Sequence, residues 1–151
     1  MSAPARRGRR LEDETELAEV VRGMRTVAVV GMKAEDQLDE AAYSIPAMLR
    51  ALGFGVVPVN PTIASSCGLA AYPDLASVPV AFDLVDVFRR VDAIPGVVDQ
   101  VLALPAERRP RVVWLQSGIR HDAATERLLD AGIVVVSNRC LGVYSGRYAR
   151  R

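Results

Sequence analysis

Apolar residues gather in five short, nearly unbroken runs, at 26–30, 55–59, 84–88, 112–115 and 133–136. The first is Thr26-Val-Ala-Val-Val30 and stops at Gly31. Runs this short, rich in valine and lacking polar alternation, predict strands covered on both faces, as in a parallel sheet. Between them the apolar positions recur at helical spacing. Leu11, Leu17, Val20, Val21 and Met24 predict a helix whose start is crowded by Glu12, Asp13, Glu14 and Glu16, acids that suit the positive end of a helix dipole. A second helix is predicted over 44–52, with Pro46 in its first turn and Gly53 ending it. A third begins near Pro95 and carries Val97, Val98, Val101 and Leu102; a fourth spans 122–131 and ends at Gly132. Residues 61–79 are rich in turn formers.

Strands alternating with helices predict a single α/β domain, a Rossmann-like doubly wound five-stranded parallel sheet with right-handed crossovers. The expected strand order is 3-2-1-4-5, with a ligand crevice at the switch point beside strand one. Pro58 removes a ladder donor from the second strand, which points to an edge, a bulge or the strand's beginning. The domain is placed at 11–143, between a flexible Arg-rich tail at 1–10 and a basic tail at 144–151.

Composition narrows the function classes. The net charge is +1, but the first ten residues hold Arg6, Arg7, Arg9 and Arg10 and no acid, leaving 15 basic against 18 acidic residues in the remainder. A basic body for gripping nucleic acid is therefore not expected. No apolar run approaches the ~20 residues of a membrane span, and no apolar segment follows the N-terminal arginines as in a secretory signal. Cys67 and Cys140 belong to no metal-ligand spacing, so the expectation is a cytoplasmic protein with two reduced thiols and no metal.

In a parallel sheet ligands bind outside the carboxyl ends of the strands. The residues there are Gly31-Met32-Lys33, Asn60-Pro61, Phe88-Arg89-Arg90, Gln116-Ser117-Gly118 and Asn138-Arg139-Cys140. The first turn lacks the G-x-G-x-x-G of a dinucleotide fold, the second strand ends without a ribose-binding acid, and no P-loop surrounds Lys33. Gly31 would allow close backbone approach, and Lys33 either supplies charge for a pyrophosphate or is simply solvated. Glu35, Asp36, Asp39 and Glu40 follow, and weigh against a polyanion unless they point outward. Arg89 and Arg90 suit phosphate or carboxylate, or else pair with Asp86 or Asp92. Gln116 and Gly118 present an amide and a close backbone approach, or form a satisfied turn. His121, the only histidine, is read as a helix cap. No acid, base and nucleophile assemble into a catalytic set.

Six segments, Val27-Ala-Val-Val-Gly-Met-Lys33, Tyr43-Ser-Ile-Pro46, Pro58-Val-Asn-Pro61, Asp83-Leu-Val-Asp-Val-Phe-Arg-Arg90, Val113-Trp-Leu-Gln-Ser-Gly-Ile-Arg120 and Asn138-Arg-Cys140, carry a resemblance. In this order they resemble stand-alone CoA-binding proteins related to the CoA-binding domain of the succinyl-CoA synthetase alpha subunit. The resemblance implies coenzyme A, or an acyl-CoA, lying across the carboxyl edge of the sheet. Gly31, Met32 and Lys33 would meet the phosphates and Asn60 and Pro61 the nucleotide portion. Phe88, Arg89, Gln116 and Gly118 would line the remaining groove, with Tyr43 closing over it. The chain departs from many members at Met32-Lys33, where they have serine, and in its acidic loop. The expected role is a non-catalytic carrier, sensor or regulatory module. The alternatives are a ligand-holding subunit of an acyl-CoA synthetase-like ligase, which would need a partner chain, and a nicotinamide-dinucleotide domain, which the missing glycines disfavour. A homodimer is compatible with the first reading.

Overall fold

The computed structural model describes residues 6–149. Its principal strands are β1 (Thr26–Val30) and β2 (Gly55–Val59), then, after a small hairpin of β3 (Ser65–Ser66) and β4 (Leu69–Ala70), β5 (Leu84–Val87), β6 (Val112–Leu115) and β7 (Val134–Val136). The helices are α1 (Glu14–Gly23), α2 (Ala41–Ala51), α3 (Ile94–Ala103), α4 (Asp122–Asp130) and α5 (Leu141–Tyr148). The large sheet runs β2-β1-β5-β6-β7, all neighbours parallel.

The doubly wound α/β architecture is as expected; the strand order is not. Counting principal strands alone, it is 2-1-3-4-5 rather than 3-2-1-4-5. Pro58 gives the physical reason. It lies opposite Val29, and with no N–H it is tolerated where a strand has a full neighbour on one side only. On its other side β2 meets just Tyr72, which donates its N–H to Pro58 O at 3.0 Å while its own carbonyl accepts from Asn60 N at 2.8 Å. The strand that does flank β1 is β5, anchored there by the Asp83 carboxylate, which accepts from the N–H groups of Arg25 and Thr26 at 2.7–3.2 Å.

Right-handed crossovers place helices on opposite faces when the chain moves in opposite directions across the sheet. From β1 to β2 the chain moves one way and α2 covers one face, beside α1 and α5; from β5 through β7 it moves the other way, and α3 and α4 cover the second. Leu17, Val21, Leu49, Trp114 and Leu141 fill the first layer, and Val85, Val98, Val101, Leu128 and Val135 the second. Asp86 is fully buried in β5 with both carboxylate oxygens unpartnered, so burial pushes its pKa well above the usual carboxylate range.

Both expected tails differ within the described residues. Residues 141–148 form α5, with Leu141 and Ser145 fully buried. Their sequence holds two glycines and no capping side chain, which hid the helix. At the other end, Gly8 N–H donates to Leu129 O, Val135 N–H to Arg9 O and Leu11 N–H to Val135 O, so the segment lies along the outer side of β7. Arg7, Arg9 and Arg10 form ion pairs with Glu126 and Asp130, with Glu16, and with Asp122 and Glu126. Residues 1–5, 150 and 151, the rest of the two expected tails, lie outside the described residues.

Helix α2 begins at Ala41, three residues before the expected start, so Pro46 sits in its interior. A proline there removes the N–H that would reach Ala42 O. That carbonyl accepts from Lys33 N–H instead, at 3.0 Å.

Candidate functional site

At the carboxyl ends a cleft of about 620 Å³ opens at the switch point between β1 and β5. It is lined by Gly31, Lys33, Asn60, Thr62, Phe88, Arg89, Arg90, Asp92 and Ala93. A narrower slot of about 180 Å³ adjoins it at Arg89 and Ala93, walled by Val30, Val59, Pro61, Pro73 and Val97. Another cavity, of about 210 Å³, lies at the opposite end of the strands.

Gly31 begins the site for a reason internal to the fold. Its φ is +87°, and a Cβ placed there would lie 2.3 Å from Phe88 O, so only glycine lets β1 and β5 close above their last paired residues. Met32 next to it is fully buried, backbone included, and its carbonyl is taken by Asn60, so the expected contact of Met32 with the phosphates is not offered by this arrangement. Asn60 shapes the other rim: its Nδ2 donates to Met32 O at 2.9 Å, and its Oδ1 accepts from Thr62 N and Oγ1.

The charges lining the cleft are mostly cationic, with three basic residues and one acid, Asp92. Lys33 Nζ and the Arg89 guanidinium make no ion pair or hydrogen bond among the described residues, and Arg90 has only a solvent-exposed pairing with Asp92 at 3.8 Å. The acids of the 35–40 loop do not line the cleft. Glu35 turns to the hairpin, where its carboxylate accepts from Gly68 N–H at 3.2 Å; its own backbone N–H and that of Gly68 hold it below the ordinary glutamate range. Asp86 lies inside the sheet and pairs with neither arginine.

The candidates thus divide. Gly31, Lys33, Asn60, Phe88 and Arg89 meet in the cleft and Pro61 in the adjoining slot. The remaining candidates lie outside both. Tyr43 faces the hairpin turn, and burial, then the Cys67 thiol, raise the pKa of its hydroxyl. Gln116 is 4% exposed, its Oε1 accepting from Leu141 N at the start of α5 and its Nε2 directed at Cys140 Sγ. Gly118 N–H donates to Asn138 Oδ1 at 2.7 Å. His121 caps α4, its Nδ1 accepting from Ala124 N at 3.1 Å, as the sequence suggested. Thr62 and Ala93 join the lining without having been foreseen; Thr62 follows Asn60-Pro61 in an Asx-type turn, a signal present in the sequence.

The site is an open crevice at a switch point, floored by glycine and edged by Lys33 and Arg89, which have no partner among the described residues. A family model for the CoA binding domain matches residues 25–146, and the chain belongs to that family. It is 30% identical over 130 residues to the uncharacterized protein YneT of Bacillus subtilis, an alignment covering 86% of this chain and 92% of that one. A Thermus thermophilus protein of known structure is 34% identical, with a TM-score of 0.81 and coverage of 91% and 99% of the two chains. The dinucleotide forming acetyl-coenzyme A synthetase 1 of Ca. Korarchaeum cryptofilum shares the fold at 21% identity and a TM-score of 0.62, over 81% of this chain and 28% of that one. No described helix is long and apolar enough to cross a membrane.

Proposed function

We propose that the protein binds coenzyme A or an acyl-CoA in the switch-point cleft and serves as a carrier, sensor or regulatory module without catalysis of its own. The observation that carries this reading is the pair of cations without a partner among the described residues, Lys33 and Arg89, on the rim of a crevice that the acids of the 35–40 loop do not line. Charge-assisted hydrogen bonds to phosphate oxygens are about twice as strong as neutral ones, and a lysine and an arginine supply them in different geometries. The start of α3 at Ala93, which has no side-chain cap, adds a favourable dipole at the same rim. The adjoining slot, walled by Pro61, Pro73 and Val97, is apolar enough to take a flat base. CoA thus fits as an extended ligand, with phosphates over Gly31, Lys33 and Arg89 and its apolar parts against the slot and Phe88.

The second reading makes the chain a ligand-holding subunit of a ligase, and the fold likeness to about a quarter of an acetyl-CoA synthetase chain favours it. Such a subunit would purify with a partner bearing the reacting groups. Titration calorimetry with CoA, acetyl-CoA and NAD tests the first reading: CoA and acetyl-CoA bind, and NAD binds at least tenfold more weakly. Equal affinity for NAD, or no heat with CoA, would overturn it. Co-purification of a stoichiometric partner from native extract would favour the second reading.

A further inference from the structure

The backbone of Lys33 is gripped from both sides by groups distant in sequence. Its N–H donates at 3.0 Å to Ala42 O, the carbonyl that Pro46 leaves without a helical donor. Its C=O accepts at 2.6 Å from Ser66 Oγ, and Ser66 is fully buried. Ser66 belongs to the β3–β4 hairpin, whose turn residues Cys67 and Gly68 have φ of +55° and +73°. That turn is fastened to α2 by Arg50 Nη1 donating to Cys67 O, and to the acidic loop by Gly68 N–H donating to Glu35. The hairpin has almost no core of its own. Its one fully buried residue spends its hydroxyl on the peptide that follows the site's lysine.

We infer that the hairpin and the proline of α2 form a clamp that sets the direction of Lys33, so that Ser66 and Pro46 are positioning residues for the anion site. A lysine side chain on an exposed loop samples many rotamers, and that rotamer entropy opposes ordering it. Fixing the peptide on both sides of its Cα limits the cone the ammonium explores and holds the neighbouring Glu35 off the cleft. The loop thereby presents a cation although it carries four acids. This inference rests on the CoA reading, and the experiment separates the two.

The test is calorimetric titration of CoA, with ADP as a probe of the pyrophosphate contact, on the intact chain and its variants. Ser66→Ala is expected to weaken CoA and ADP binding about fivefold, on the scale of one lost neutral hydrogen bond. Pro46→Ala restores the helical N–H that competes for Ala42 O, and a loss of threefold or more is expected although the helix gains propensity, a combination that a purely structural role would not produce. On a Lys33→Ala background both changes should have little further effect, because they act through that lysine. If Ser66→Ala fails to fold, Ser66→Cys, which keeps the volume and a weak donor, takes its place with an intermediate loss. Failure of the unaltered chain to bind CoA would remove the CoA reading and the clamp with it. Normal CoA binding with affinities unchanged in Ser66→Ala and Pro46→Ala, or losses that add fully to that of Lys33→Ala, would overturn the clamp alone.

Discussion

The two halves of the sheet's carboxyl edge use similar residues to opposite ends. On the β1–β5 side, Lys33 and Arg89 reach the cleft without a partner among the described residues. On the β6–β7 side, three polar groups are claimed by the chain: Gln116 holds the start of α5, Gly118 holds Asn138, and Trp114 Nε1 donates to Arg139 O at 2.8 Å, while Ser137 Oγ and Arg139 Nε are buried without a partner among the described residues. A polar residue after a buried strand is therefore not in itself a binding residue. What distinguishes Lys33 and Arg89 from Gln116 and Gly118 is saturation, since a hydrogen-bonding group already satisfied inside the fold gains little from a ligand.

The contrast can be broken by mutation, most forcefully at the cleft. The double change Lys33→Ala with Arg89→Ala should lower CoA affinity by about 100-fold or more, each lost charge-assisted bond being worth about 1.5–3 kcal/mol before solvent screening. The residual binding should be less salt-sensitive, and calorimetry at two ionic strengths checks both statements. Gln116→Leu should do the reverse: a stability loss of about 1–3 kcal/mol by urea denaturation, from the buried N–H of Leu141 left unpaired, with CoA affinity within twofold of the unaltered protein. A matching loss of affinity would mean that the β6–β7 half also contributes to the site.

Asp86 lies in the strand shared by both halves and gives a smaller, pH-dependent effect. Its folded pKa is raised above the unfolded value near 3.8, so the stability associated with its neutral form is complete at low pH and declines as pH rises toward the folded pKa. The slope for one proton is at most about 1.4 kcal/mol per pH unit. Asp86→Asn removes that slope. The difference between the two proteins in urea midpoint should therefore widen from pH 5 to pH 8, and parallel curves would refute the assignment. The smallest effect is expected at the surface, where Arg9→Ala breaks an exposed pair with Glu16 and should cost under about 1 kcal/mol.

Strands and layers were legible because valine-rich runs punctuated by glycine and asparagine admit few other structures. The run 112–115 became β6 residue for residue. The order of strands was harder. Pro58 already pointed to an edge, yet the pattern of the more familiar dinucleotide fold placed its strand inside the sheet. Helix α5 escaped because its buried face, Leu141, Gly142 and Ser145, is mostly small residues and reads as a tail. In the site, Gly31, Lys33 and Arg89 could be picked out as positions. Whether Gln116 was free could not, since its partner, the Leu141 N–H, lies 25 residues away and is contributed by a helix the sequence did not announce.

The docked N-terminal segment has a consequence for how molecules of this kind can associate. With Arg9 and Leu11 bonded to Val135 of β7, and Tyr72 bridging the far side of a β2 already interrupted by proline, each margin of the sheet is partly covered by the chain itself. Extension of one copy's sheet by another is thereby disfavoured, and a dimer is expected to meet through helices or loops. Shortening the chain to remove Gly8 through Leu11 would uncover one margin and create a route to strand-by-strand aggregation.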